Sequence, residues 1–340
     1  MTTSIKDYNY KLPKNLIADK PRSKREQAKL MIFDNNREHI EHTSFSYLAE
    51  HINEGDLLIL NDTKVIPGRL FLKKETGGNV EILFHKHLNE REISCIHRSS
   101  RKVASNSKLF IDDNNFFVVD KVDGKFITLS SQSDPMIYFT KYGSVPLPKY
   151  IKRETTNEDV DRYQTVYAKE DGSVAAPTAG LHFTNKILSD LKNKGVIVDY
   201  LTLHVTYNTF KPITSDDYNN HEIGSEDCSL RESLLQKIQS AKRKNKKVYA
   251  VGTTATRALE NYASKSYRGD FVGEADLFIK PGYQFKIIDG LITNFHLPKS
   301  TLLLLVSSLV GREKILNLYD IAIKNNYRFY SYGDSMFIKI

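Results

Sequence analysis

The stretch Lys247-Val248-Tyr249-Ala250-Val251-Gly252-Thr253-Thr254-Ala255-Thr256-Arg257 changes periodicity in mid-course. Its first five residues read as a buried strand, and the Gly-Thr-Thr that follows opens a helix. A strand that delivers its end to a helix start is the repeating unit of α/β architecture. The same texture extends to either side. Thr184 reads as the cap of a helix whose Ile187, Leu188 and Leu191 share one face, with Gly195 as its stop. Residues 196–205 then read as a buried strand. Ser229-Leu230-Arg231-Glu232 reads as a capping box, opening a helix with Leu230, Leu234, Ile238 and Ala241 on one side. Further strands are expected at 276–279, 290–294 and 336–340, with apolar helical stretches between 296 and 325.

From Asp56 to Leu129 the pattern is different. Asp56-Leu57-Leu58-Ile59-Leu60 reads as a buried strand closed by Asn61-Asp62, and short strands are expected at 69–72, 80–84, 93–97, 116–119 and 126–129. Between them lie Thr76-Gly77-Gly78-Asn79, Asp112-Asp113-Asn114-Asn115 and Asp123-Gly124, whose Gly, Asn and Asp residues suit hairpin turns. This stretch reads as a small β-barrel or sandwich with no long helix. The segment up to about Glu54 is mixed and is expected to pack with the α/β portion.

The chain has 340 residues, so at roughly 150 residues per domain two domains are expected. Hydrophobic residues make up 40% and charged residues 26%, an ordinary globular balance that excludes general disorder. Lys and Arg number 49 against 41 Asp and Glu, and the resulting +8 favours a polyanionic partner such as nucleic acid. The cations gather at 20–25, 98–102 and 242–247; the last stands at a helix end, where phosphate contact and a solvated helix terminus are both open readings. Two cysteines, Cys95 and Cys228, are too few for a disulfide framework or a four-thiolate zinc site. The start has no signal-peptide core, and the apolar run 302–310 is about half of the roughly 20 residues of a membrane span. A soluble, reduced, cytoplasmic protein is expected.

Four motifs carry candidate chemistry, each with a plainer alternative. Val174 through Thr184, with Thr178, Gly180 and His182, is a run of small residues ahead of a helix. It suits a ligand lying close to the backbone, or a tight packing turn around a core histidine. In Gly252-Thr253-Thr254-Ala255-Thr256-Arg257, hydroxyls, helix-terminal amides and Arg257 suit a carboxylate or ribose, or simply a cap. The run lacks the Gly-Lys-Ser/Thr of a phosphate loop and the further glycines of a dinucleotide fingerprint. His221 and Glu226 suit a base and its orienting acid, or two solvated side chains, and no third ligand favours a metal. Thr293-Asn294-Phe295-His296 ends a strand, where α/β proteins build sites, and Tyr283 stands in a turn with aromatics able to stack on a base. Buried aromatic packing is the alternative there.

Taken in order, these segments resemble the S-adenosylmethionine:tRNA ribosyltransferase-isomerases of queuosine biosynthesis, nearly end to end. The resemblance runs through Asn61 to Leu70, Lys74 to Gly78, Leu147 to Arg153, Tyr163 to Ala168 and Ser173 to Thr184. It ends in Tyr283-Gln284-Phe285, Ile292 to Pro298, Ser300-Thr301-Leu302 and Tyr327 to Asp334. It implies a monomer with a mixed-sheet, barrel-like α/β main domain (1–60 and 150–340) and an inserted small all-β barrel domain (61–149). It also implies transfer of the ribosyl group of S-adenosylmethionine to 7-aminomethyl-7-deazaguanine at the tRNA wobble position. Adenine and methionine are released and epoxyqueuosine-tRNA is formed, with S-adenosylmethionine as a consumed co-substrate and no metal. The target base must leave the anticodon stack to reach a pocket.

On positions matching that family, His182, His221, Glu226 and His296 are assigned to proton transfer. Thr253, Thr254 and Arg257 are assigned to the methionine carboxylate, Asn294 to the ribose or a base edge, and Tyr283 and Phe295 to the adenine or sulfonium. Thr178 and Gly180 line the ligand loop. Two departures stand out. Thr206-Tyr207-Asn208 replaces an expected glycine-rich stretch, and Ile223-Gly224 replaces Met-His in an expected His-x-Met-His-Ser-Glu. They admit an alternative, a non-catalytic or altered-substrate tRNA-binding paralogue.

Overall fold

The computed structural model describes residues 3–148, 150–206 and 213–340. They divide into two compact units, one of Met1–Thr63, Gln164–Glu170 and Ala176–Ile340, the other of Lys64–Tyr163 and Asp171–Ala175.

The first unit is built on a nine-stranded mixed sheet. Its centre is four parallel strands, Ile197–Leu203, Leu57–Asn61, Val248–Val251 and Gly290–Asn294, in that order across the sheet. Leu57–Asn61, Val248–Val251 and Gly290–Asn294 are buried at every position, the mark of strands covered on both faces. Beyond Gly290–Asn294 come Ser335–Lys339, Lys29–Asp34 and His39–Ser44; on the other side come Glu226–Leu230 and Phe271–Ala275. The mixed N-terminal segment thus supplies one edge of the sheet. Thr184 caps the Asn185–Asn193 helix through the Ile187 N–H, as its sequence predicts. Asp334 is fully buried and accepts from Arg22 Nε and Nη2 and from the main-chain N–H groups of Lys29 and Arg328. It fastens the Lys29–Asp34 strand to the segment entering Ser335–Lys339.

Two expectations need correction here. Ser229 and Leu230 do not cap a helix. They end the Glu226–Leu230 strand, whose alternating side chains and two antiparallel neighbours outweigh the local capping pattern. The helix starts at Glu232, and its N–H is capped from a distance by the Asp270 carboxylate, 2.6 Å away. The strand expected at 276–279 lies earlier, at Phe271–Ala275, because Asn261 Oδ1 takes the Asp276 and Leu277 N–H groups out of any ladder.

The second unit is a closed, antiparallel six-stranded barrel, so the barrel reading holds over the sandwich. Around it run Phe126–Ser130, Glu92–Ser99, Asn79–His87, Arg69–Lys74, Lys108–Phe110 and Phe116–Asp123. Leu70, Leu72, Val80, Ile82 and Phe84 fill it with the period of two that strands impose. The Asp112–Asn115 turn closes as its composition predicts, with Asp112 Oδ1 accepting the Asn114 and Asn115 N–H groups.

Candidate functional site

The four parallel strands end on one side of the sheet. A cavity of about 160 Å³ opens beyond Val251 and Asn294, where open α/β sheets hold their ligands. Thr178, Gly252, Thr253, Thr254, Asn294 and His296 all line it. The Val251–Gly252 junction needs its glycine, because Gly252 turns from strand to helix with φ at +88°, in the left-handed region. That turn aims the start of the Gly252–Ser264 helix at the cavity. Thr254 Oγ1 accepts from Asn61 Nδ2 at 3.3 Å, joining two strand ends.

Asn294 is the hub of one wall. Its Oδ1 accepts from Thr178 Oγ1 at 3.1 Å, and its Nδ2 donates to His182 Nε2 at 3.3 Å and to the Tyr330 carbonyl at 3.2 Å. His182 itself stands behind this wall, buried against Phe45. Burial pushes its pKa down to about 4, more than the nearby Asp334 carboxylate pulls it up. His296 borders the cavity, with Nε2 2.9 Å from Thr293 Oγ1, and burial lowers its pKa to about 3. Tyr10 donates to the His296 carbonyl, and the His296 N–H donates to Tyr319 Oη, so two tyrosines fix that main chain. Both imidazoles are therefore neutral near pH 7.

The remaining expected residues sit apart from the cavity or have other work. Arg257 is almost fully buried and donates to Glu226 Oε2, to the carbonyls of Ala275 and Leu277, and to the Gly224 carbonyl. Its guanidinium ties three segments together and is not left open for a ligand carboxylate. Glu226 Oε1 accepts the Thr206 N–H at 2.8 Å. Arg257 and Glu226 line a smaller recess that shares Thr253, Thr254, Thr301 and Leu302 with the main cavity. His221 is buried with its ring against Phe278, which lines that recess. Phe295 borders the main cavity, but its side chain is fully buried among Tyr319, Tyr327 and Phe329. Tyr283 lies outside both linings, its hydroxyl donating to Glu260 Oε2 at 3.0 Å. Gly180 packs under Tyr167, where a Cβ would fall 2.0 Å from the phenol oxygen. Of the first departure from the family pattern, Tyr207 and Asn208 lie outside the described residues.

Thr301 is a cavity residue that the sequence offers only within the Ser300-Thr301-Leu302 match, with no role assigned to it. The signal for it is Ser300-Thr301 directly after Lys299, where Ser300 caps the Thr301–Val310 helix. Tyr10 and Tyr319 carry no local signal. Among the described residues no cluster of His, Cys, Asp or Glu has the make-up of a metal site, and no helix is long and apolar enough to cross a membrane.

An α/β sheet with its cavity at the strand ends, together with a separate six-stranded barrel, defines the architecture. The family model described as "Queuosine biosynthesis protein" matches residues 5–338, and the chain belongs to that family. It is 44% identical over 337 residues to the S-adenosylmethionine:tRNA ribosyltransferase-isomerase of Carboxydothermus hydrogenoformans, covering 98% of this chain and 99% of that one. The protein of the same name from Francisella tularensis subsp. novicida is 42% identical, with 98% of each chain covered. Among solved structures, the S-adenosylmethionine tRNA ribosyltransferase of Thermotoga maritima is 32% identical, with a TM-score of 0.58 and coverage of 98% of this chain and 99% of that one.

Proposed function

We propose that this chain is a queuosine-pathway transferase and isomerase. It moves the ribosyl group of S-adenosylmethionine onto 7-aminomethyl-7-deazaguanine at the tRNA wobble position, releasing adenine and methionine and giving epoxyqueuosine-tRNA. The observation that carries this reading is the match to enzymes of that name over 98% of the chain at 44% identity. In this reading the protein works as a cytoplasmic monomer, and its excess of cations supports binding of the tRNA phosphates.

The reaction needs a base beside the sulfonium, a hydrogen bond at the departing adenine and a neutral amine nucleophile. His296 is assigned as the base because it is the imidazole that borders the cavity. His182 is a positioning residue: it stands one hydrogen bond behind Asn294 and orients the amide that meets the ribose or a base edge. Glu226 and Arg257 hold the segments around the recess, in place of the proton-transfer and carboxylate roles expected of them. Incubation with S-adenosylmethionine and tRNA carrying the deazaguanine should release adenine in step with epoxyqueuosine. Folded protein that releases none above a no-enzyme control would refute the reading.

A second reading is a tRNA-binding relative without turnover. Gly224 favours it, since that position carries no side chain where the family pattern has a histidine. It predicts salt-sensitive tRNA binding and no modified nucleoside.

A further inference from the structure

With Arg257 committed to Glu226 and three carbonyls, the anionic end of the small substrate needs another partner. We propose that Thr301, with Thr253, forms an anion subsite where two helix N-termini converge, and that it takes the carboxylate of the methionyl part of S-adenosylmethionine. The inference rests on the ribosyltransferase-isomerase reading above.

Thr253 stands on the first turn of the Gly252–Ser264 helix and Thr301 on the first turn of the Thr301–Val310 helix. Both line the main cavity and the adjoining recess. Their exposures are 8% and 5%, and neither hydroxyl has a hydrogen-bond partner among the described residues. Both oxygens open into the cavity rather than being sealed from it, and two uncommitted hydroxyls facing one space offer a ligand two hydrogen bonds. Their neighbours are occupied: Thr254 accepts from Asn61, and Ser300 Oγ accepts the Leu303 N–H. In the second helix the Ser300 cap leaves the Thr301 and Leu302 N–H groups without partners among the described residues, and no side chain caps the first helix. Both helices turn their positive ends toward the same space, and Lys299 also lines it.

The recess selects a carboxylate over a nucleotide phosphate. Ile223, Leu277, Phe278, Ile279, Leu302 and Leu305 give it apolar walls directly beside the two threonines. An α-amino acid carries its carboxylate next to a short apolar chain, here the methylenes leading to sulfur, whereas a backbone phosphate is flanked by polar sugars.

Calorimetric titration with S-adenosylmethionine and with its decarboxylated analogue tests the assignment. Thr301→Val and Thr253→Val should each weaken S-adenosylmethionine by about tenfold or more, the worth of a hydrogen bond to a charged group, and leave the analogue's affinity unchanged. Thr301→Ser, which keeps the hydroxyl, should restore binding, and it carries the test together with Thr253→Val if Thr301→Val does not fold. Equal losses for both ligands, or no loss for either, would overturn the inference while leaving the enzyme reading intact. Weakened tRNA binding with S-adenosylmethionine untouched would assign the subsite to a phosphate and overturn it as well. A wild-type protein that binds neither nucleoside would end both readings.

Discussion

Arg257 Nη1 lies 2.8 Å from Glu226 Oε2, with side-chain exposures of only 6% and 1%. The pair joins the Gly252–Ser264 helix to the Glu226–Leu230 strand, and through the second Glu226 oxygen it also holds the Thr206 main chain. Removing the cation strands a buried carboxylate, at a cost of about 3–5 kcal/mol. Arg257→Met should therefore lower the urea-derived unfolding free energy by that amount. A loss typical of an exposed pair, below about 1 kcal/mol, would show that the bridge is not sealed.

His182 makes stability depend on acidity. The unfolded chain takes up a proton there near pH 6.5, whereas the folded chain does so only near pH 4. Between those values unfolding binds a proton, so stability is full above pH 6.5 and falls as the pH drops toward 4, by on the order of 3 kcal/mol. His296, with its pKa near 3, adds a decline of its own that starts at the same pH and runs on below pH 4. Urea midpoints measured from pH 7 to pH 4 should show the combined decline, and His182→Gln should make it about half as steep. An unchanged slope in that variant would mean that other groups carry it.

Gly180 has no room for a side chain. A methyl group there meets the Tyr167 hydroxyl at 2.0 Å and the Thr165 methyl at 2.9 Å. Gly180→Ala should destabilise by about 1–3 kcal/mol, the usual cost of overpacking. Tyr167→Phe in the same background should recover part of that loss, because it removes the colliding oxygen. Additive losses in thermal denaturation would contradict the clash.

Glu260 accepts four hydrogen bonds, from the Tyr283 hydroxyl and from the N–H groups of Lys286, Ile287 and Ile288. Glu260→Gln replaces one acceptor oxygen with a donor that faces other donors, at a cost of about 1–3 kcal/mol for each amide left unpaired. Amide exchange should accelerate at residues 286–288 before it does so in the parallel strands. Uniform acceleration across the sheet would instead indicate global destabilisation.

What could be read from the residues divides along the range of the forces involved. Buried parallel strands and hairpins with Gly, Asn or Asp turns are local patterns, and Gly290–Asn294 is found where it was expected. Lys108–Phe110 is a strand only because Arg69–Lys74 and Phe116–Asp123 flank it, and three residues carry too little pattern to announce that. The capping box at Ser229 misleads because the true cap is Asp270, 38 positions away. The same division holds at the cavity. Thr178, Thr253, Thr254, Asn294 and His296 mark loop ends after strands and gather around one space. Arg257, by contrast, reads as a ligand clamp until its partners at 224, 226, 275 and 277 are seen. Thr301 stands in the Ser300-Thr301-Leu302 match but looks like any helix start, and its unpaired hydroxyl at the cavity shows only in three dimensions.

The contact between Asp334 and the Lys29 main chain spans 305 positions. As the polypeptide leaves the ribosome, residues 29–44 can form only an isolated hairpin, which is marginal in water. Its parallel neighbour at 335–339 emerges almost a whole chain later. The main sheet is thus completed only once residues 335–339 have emerged, and until then the hairpin's unpaired edge and the strands around it are open to chaperones and to aggregation.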